Sequence, residues 1–165
     1  MTGLFPSMIA FMVLLALVTP QPIVAQPTDM PESKSAAPYH PGLGELMTAF
    51  VQPRHIKLGL AGNEQNWRYA SFELGELTEA FDDIAELVPK HDNLPIPEMI
   101  ASTVKQPMEA LGAAIKTMDN AAYTKAYADL TASCNACHQS ANHAEIVIQV
   151  PTTSSFSDQD FRPRK

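Results

Sequence analysis

From Glu64 to Val88 the apolar residues Trp67, Ala70, Leu74, Leu77, Phe81, Ile84 and Val88 recur at alternating steps of three and four. That spacing lays them along one face of a helix, and such a stripe is stable only where something covers it. The other side carries Glu73, Glu76, Glu79, Asp82, Asp83 and Glu86, which predicts a solvated face that is also suited to docking a basic partner. Pro89 supplies the stop.

Three further stretches repeat the pattern. From about Leu43 to Ala61, Leu43, Met47, Phe50 and Leu58 fall near one side; Pro53 is expected to kink or split this helix, and Gly59 and Gly62-Asn63 to end it. After a loop at residues 91–97, a third helix is expected from Pro97 to Met118. Its inward residues are Ile100, Val104, Met108, Leu111, Ile115 and Met118, with a kink at Pro107. A fourth starts from a cap at Asp119 or Asn120 and carries Tyr123, Tyr127, Leu130, Cys134 and Cys137 inward. Four helices joined by short loops predict an all-α fold, an antiparallel up-down-up-down four-helix bundle over residues 42–143. Past Asn142 the β-branched run Ile146-Val147-Ile148-Gln149-Val150, closed by Pro151, reads as extended. Residues 144–165 are therefore expected to form an irregular C-terminal arm.

The fourth helix carries the chemistry. Cys134-Asn135-Ala136-Cys137-His138 contains the only two cysteines of the chain, and a histidine follows the second directly. C-x-x-C-H is the spacing of covalent haem attachment: two thiols add to the vinyl groups and the adjacent imidazole binds the iron. A thiol-disulfide pair with the same spacing would ordinarily open a helix after a strand, and no strand pattern precedes Cys134. A zinc site would need further ligands at finger-like spacing; His143 could supply one, but no other cysteine exists. The expectation is one covalent haem c per chain, held by Cys134 and Cys137 against the inward face of the fourth helix, with His138 on the iron.

In the expected bundle the start of the first helix lies beside the end of the fourth, so the other axial ligand should come from the first helix. Met47 and His55 are the candidates, linked through Val51 by steps of four and about 12 Å apart. Only one of them can reach the iron. A methionine in an apolar stretch is commonly core filling, and a histidine beside Arg54 and Lys57 is commonly a surface or capping residue. His55 is favoured, being unneeded as core. His40, His91 and His143 fall in loops or past the helix.

A chain of 165 residues suits one domain plus tails. A net charge of -7 speaks against nucleic acid, whose phosphates need clustered Lys and Arg. Residues 1–25 read as an export signal: an apolar run from Leu4 to Val18, a break at Thr19-Pro20-Gln21-Pro22, and a cleavage site at Ile23-Val24-Ala25. No Lys or Arg precedes the run, so a membrane enters only as the partner of an uncleaved leader; cleavage and a periplasmic location are expected. Residues 26–41, rich in Pro, Ser, Thr and Ala, read as a flexible spacer. Export and C-x-x-C-H agree, because bacteria attach haem covalently outside the cytoplasmic membrane.

The helical period with Cys134-Asn135-Ala136-Cys137-His138 near the C-terminus resembles the cytochrome c′ family, the four-helix-bundle class II c-type cytochromes. More narrowly, Arg54-His55-Ile56-Lys57-Leu58, Ala61-Gly62, Asn66-Trp67 and Glu73-Leu74 resemble a group of exported proteobacterial monohaem cytochromes, over about Leu43 to Pro151. The resemblance implies haem c with His138 as proximal ligand, and admits a homodimer. Five-coordinate members of the family set an apolar residue over the iron, whereas this first helix offers a histidine and a methionine. Electron transfer with a redox protein partner is the expected function, and catalysis is not expected, since no Ser-His-Asp or carboxylate constellation accompanies the motif. The alternatives are binding or sensing of small gases such as NO or CO at a five-coordinate iron behind Phe50 and Val51, and service as the haem subunit of a larger oxidoreductase tethered through Ile146 to Lys165.

Overall fold

The structure, a computed structural model, describes residues 39–164; the leader (1–25) and nearly all of the spacer (26–41) lie outside the described residues. Its elements are α1 (Leu43–Leu46), a π-helical turn (Met47–Val51), α2 (Gln52–Asn63), α3 (Trp67–Leu87), a two-residue hairpin of β1 (Lys90–His91) and β2 (Leu94–Pro95), α4 (Ile96–Thr117) and α5 (Asn120–Ser140). The chain is mostly helical and all-α in class.

Pro53 does not split the first helix. Leu46, Met47, Val51 and Gln52 all keep right-handed helical angles, so α1, the π turn and α2 form one path. Proline lacks an N–H, and its ring would press on the carbonyl one turn earlier. The chain meets this by widening the turn in front of it: the Gln52 N–H reaches back five residues to the Met47 carbonyl.

Asn66 caps α3, its side chain accepting from the Tyr69 N–H at 3.3 Å. The buried stripe is Ala70, Glu73, Leu77, Ala80, Phe81 and Ile84. Glu73, expected on the solvated side, is 1% exposed. It stands three residues past Ala70 and four before Leu77, in phase with the stripe, and its charge is met by Arg54 Nη1 at 3.4 Å. Arg54 also binds Glu76 at 2.7 Å, while Glu79, Asp82, Asp83 and Glu86 are exposed.

The expected loop at His91 is a tight hairpin, with Asp92 and Asn93 at φ 49° and 67°, the left-handed pair that a two-residue turn demands. α4 then runs unbroken through Pro107. It ends at Met118, φ 54°, where the Asp119 N–H bonds to the Ala114 carbonyl and the Met118 N–H to that of Ile115. This Schellman closure turns Met118 outward, 67% exposed, against the expectation that it faces the core. Asp119 caps α5, accepting from the Ala121 and Ala122 N–H groups at 3.0 Å each.

α2 packs on α3, α3 on α4, α4 on α5, and α5 back on α2. One leucine from each sits at the centre: Leu58, Leu77, Leu111 and Leu130 are at most 1% exposed. Burial of each contributes about 1.5–3 kcal/mol. Beyond α5 the arm has no regular structure, yet it is tied down. Phe161 is buried and stacks on Tyr69 at 5.6 Å, and the Asn66 amide donates to the Phe161 and Arg162 carbonyls at 3.1 and 3.2 Å. The Lys57 ammonium lies over the Phe156 ring at 4.8 Å. Among the described residues no helix is long and apolar enough to cross a membrane.

Candidate functional site

The seam between α2 and α5 positions the residues singled out above. A Cβ on Gly59 would lie 2.5 Å from the Tyr127 hydroxyl, and one on Gly62 would lie 1.9 Å from Tyr123 Cε1. These glycines admit the two tyrosines; Gly59 lies inside the helix and does not end it, whereas Gly62-Asn63 stands at its end as expected. α2 continues to Asn63 and is closed by Gln65 at φ 54°. The Tyr123 hydroxyl donates to the Leu58 carbonyl at 2.6 Å, and burial drives its acidity well below that of an ordinary phenol.

His55 is next along this seam and is 3% exposed. Its ring stacks on Tyr127 at 4.8 Å, and both its nitrogens meet hydroxyls of α5. Thr131 Oγ1 donates to the Tyr127 carbonyl at 2.9 Å, so its lone pairs face His55 Nε2 at 3.0 Å, and Nε2 is the donor. The Tyr127 hydroxyl donates to the His55 carbonyl at 2.6 Å and lies 3.1 Å from Nδ1. Burial pulls the His55 pKa down to about 4, so the ring is neutral at pH 7.

Gly62 meets Tyr123, Gly59 meets Tyr127 and His55 meets Thr131, so descending α2 is ascending α5: the two run antiparallel. Continuing that register past Val51 sets Met47, half-buried in the π turn, at the level of His138. His55 stands at the level of Thr131, seven residues before His138, about 10 Å along the axis.

Cys134, Cys137 and His138 occupy the last two turns of α5, all half-buried, where the stripe from Tyr123 to Thr131 was fully buried. Both cysteines are free. Cys134 is pushed up to about 11 by burial and by Cys137 beside it; Cys137, which meets the Thr103 hydroxyl of α4, is also raised by burial. A redox-active pair needs the reverse, a thiol acidified at a helix N-terminus. Here the pair stands at the negative end of a 21-residue helix. Among the described residues no three His, Cys, Asp or Glu side chains gather as a metal site, so zinc finds no set of ligands.

His138 donates from Nδ1 to the Ile146 carbonyl at 2.9 Å. In a neutral ring this fixes the tautomer and leaves Nε2 with an unprotonated lone pair. Asn135, between the cysteines, grips the same arm: its amide nitrogen donates to the Ile148 carbonyl at 2.9 Å and its oxygen accepts the Ile148 N–H at 2.7 Å. His143 lies past the helix, pairing with Glu145 at 3.2 Å, and His91 is in the hairpin. Sequence reasoning missed Asn135, Thr131, Tyr127 and the two arm residues. The asparagine within the motif was the one available signal.

One cavity, of about 280 Å³, lies between the end of α2 and the arm, and another, of about 170 Å³, is lined by Leu46, Phe50, Ala80, Ile84 and Leu87; neither of these is lined by Cys134, Cys137 or His138. The chain matches no protein-family model, no curated protein and no solved structure.

Proposed function

We propose that the chain is an exported, periplasmic monohaem c-type cytochrome of the cytochrome c′ kind that carries electrons, its helices forming an antiparallel up-down-up-down four-helix bundle. One observation carries the reading: two unpaired, protonated thiols one turn apart on α5, beside a histidine whose Nδ1 is already engaged so that Nε2 is free to ligate. That donor set fits haem c. Cys134 and Cys137 would hold it by thioether bonds and His138 would bind its iron. Haem held in this way supplies one-electron redox chemistry.

The chain's own residues decide what else can happen there. The antiparallel register favours Met47 over His55 as the second axial ligand, because Met47 stands level with His138 while His55 would have to give up Thr131 and Tyr127. A methionine opposite histidine raises the reduction potential relative to a second histidine. The exposed carboxylates Glu79, Asp82, Asp83 and Glu86 suit a basic redox partner, with association weakening as salt rises.

The hydrogen bond of His55 Nε2 to Thr131 also favours a second reading. Should Met47 not ligate, the iron is five-coordinate and open to small gases such as NO or CO. Expression with a haem-maturation system followed by a visible spectrum separates the two. Low-spin ferric and ferrous spectra that become high-spin in Met47→Leu but not in His55→Gln support the carrier ligated by Met47. High-spin wild-type iron that takes up carbon monoxide readily overturns the carrier in favour of the gas binder. Absence of a covalent haem by mass overturns both.

A further inference from the structure

The C-terminal arm meets His138 through the Ile146 carbonyl, and that carbonyl has no partner in a strand or helix of its own segment. Ile146 is 47% exposed, Val147 65%, and no strand or helix pairs them. Two contacts hold this stretch near α5. At its start, Asn142 takes φ 61° and α5 ends in a Schellman closure, His143 N–H to the His138 carbonyl at 2.7 Å, with the Ile146 N–H returning to the His143 carbonyl at 3.0 Å. Two residues further on, Ile148 pairs through both backbone groups with the Asn135 side chain. That amide gives the arm what a neighbouring strand would, one donor and one acceptor in the plane of the peptide.

We infer that Asn135 is a positioning residue, acting through the arm: by pairing with Ile148 it keeps the Ile146 carbonyl on His138 Nδ1 and so sets how strongly Nε2 donates. This rests on the haem reading above. A ring whose Nδ1–H is drawn toward a carbonyl is the more basic at Nε2, which stabilises the ferric over the ferrous state. Loss of the pairing releases Ile146, weakens that bond and raises the reduction potential. The ligand set, the thiols and the helix are untouched.

Two variants break the same pairing from opposite sides. Asn135→Ala removes the amide next to Cys134; Ile148→Pro removes the N–H from the arm and leaves Asn135 in place. Ile148→Ala, which keeps both backbone groups, is the control. In each, covalent haem is counted by mass, the potential is measured by titration, and the state of His138 is read from its ring 15N shifts. The expected result is full haem content in all, with Asn135→Ala and Ile148→Pro shifted together and Ile148→Ala unmoved. The shift should be about tenfold in the ferric-to-ferrous balance, the low end for such outer contacts, or about 59 mV for one electron. Unchanged potential and 15N shifts in both variants, with haem in place, would overturn the role of Asn135 and leave the haem reading standing. A wild type that takes up no haem under the same maturation system would overturn the haem reading and this inference with it.

Discussion

The two halves of α5 are packed to different standards. From Tyr123 to Thr131 the inward residues are 0–6% exposed and interlock with Gly59, Gly62 and His55 of α2. From Ser133 to His138 no residue is buried, although the apolar period continues through Cys134 and Cys137. The first half fixes the register of two helices. The second keeps an apolar face without filling it with helix side chains, and it is the half that carries two thiols and an imidazole. Under the proposed reading a large flat group would lie against this second half, which agrees with side chains there that are only half-buried.

The contrast breaks most visibly at Gly62. Its missing Cβ is the space that Tyr123 occupies, and the obstruction is a ring wedged between helices, with its hydroxyl on Leu58. Gly62→Ala must push α2 off α5, and is expected to cost about 3 kcal/mol or more. Cys137→Ala, in the half-buried turn, should cost about 1 kcal/mol or less in the haem-free chain. Denaturant unfolding of both variants tests this; equal losses would mean that the two halves are packed alike.

A second test uses pH. His55 is neutral when folded because burial holds its pKa near 4, against about 6.5 for an exposed histidine. Below pH 6.5 the unfolded chain takes up a proton that the folded chain refuses, so stability falls with falling pH and levels off near pH 4. The loss is on the order of 3 kcal/mol from this residue, at about 1.4 kcal/mol per pH unit of difference. In His55→Gln that part of the slope between pH 6.5 and 4 should vanish. An iron-bound histidine would stay unprotonated in the folded chain below pH 4 as well, so in the haem-loaded protein the decline would run on below pH 4 if His55 were the ligand and level off there if Met47 were.

Much of this was legible in the sequence, and what was not has a common cause. The stripes on α3, α4 and α5 were readable because helical periodicity is local, and Cys134, Cys137 and His138 stood out because C-x-x-C-H is the spacing on which the proposed haem attachment rests. Gly59 was misread as a stop: a glycine near a helix end has the same appearance whether it breaks the helix or admits a tyrosine from 60 or more residues away. Glu73 was misplaced because its phase fits the stripe as well as that of Leu74, and only the partner Arg54 explains its burial. The hydroxyls of Tyr127 and Thr131 around His55, and the grip of Asn135 on Ile148, lie across separations of 72, 76 and 13 residues that no period announces.

The smallest effect is expected where α4 and the second half of α5 close. Both end in the same closure, yet Met118 occupies the left-handed position in one and Asn142 in the other, at φ 54° and 61°. A side chain with an ordinary Cβ is strained there, whereas asparagine visits the region readily. Met118 is mostly exposed, so its replacement forfeits little packing. Met118→Gly should therefore stabilise the chain by about 0.5 kcal/mol, the relief of strain slightly exceeding the added freedom of the unfolded state. Asn142→Gly should gain nothing, because asparagine carries little strain to relieve, and it loosens the turn that starts the arm toward His138. Thermal unfolding midpoints that rise for Met118→Gly and hold or fall for Asn142→Gly would show that the end of α5 is already suited to its turn. A rise of equal size in both would make the arm's first residue as replaceable as the exposed corner after α4.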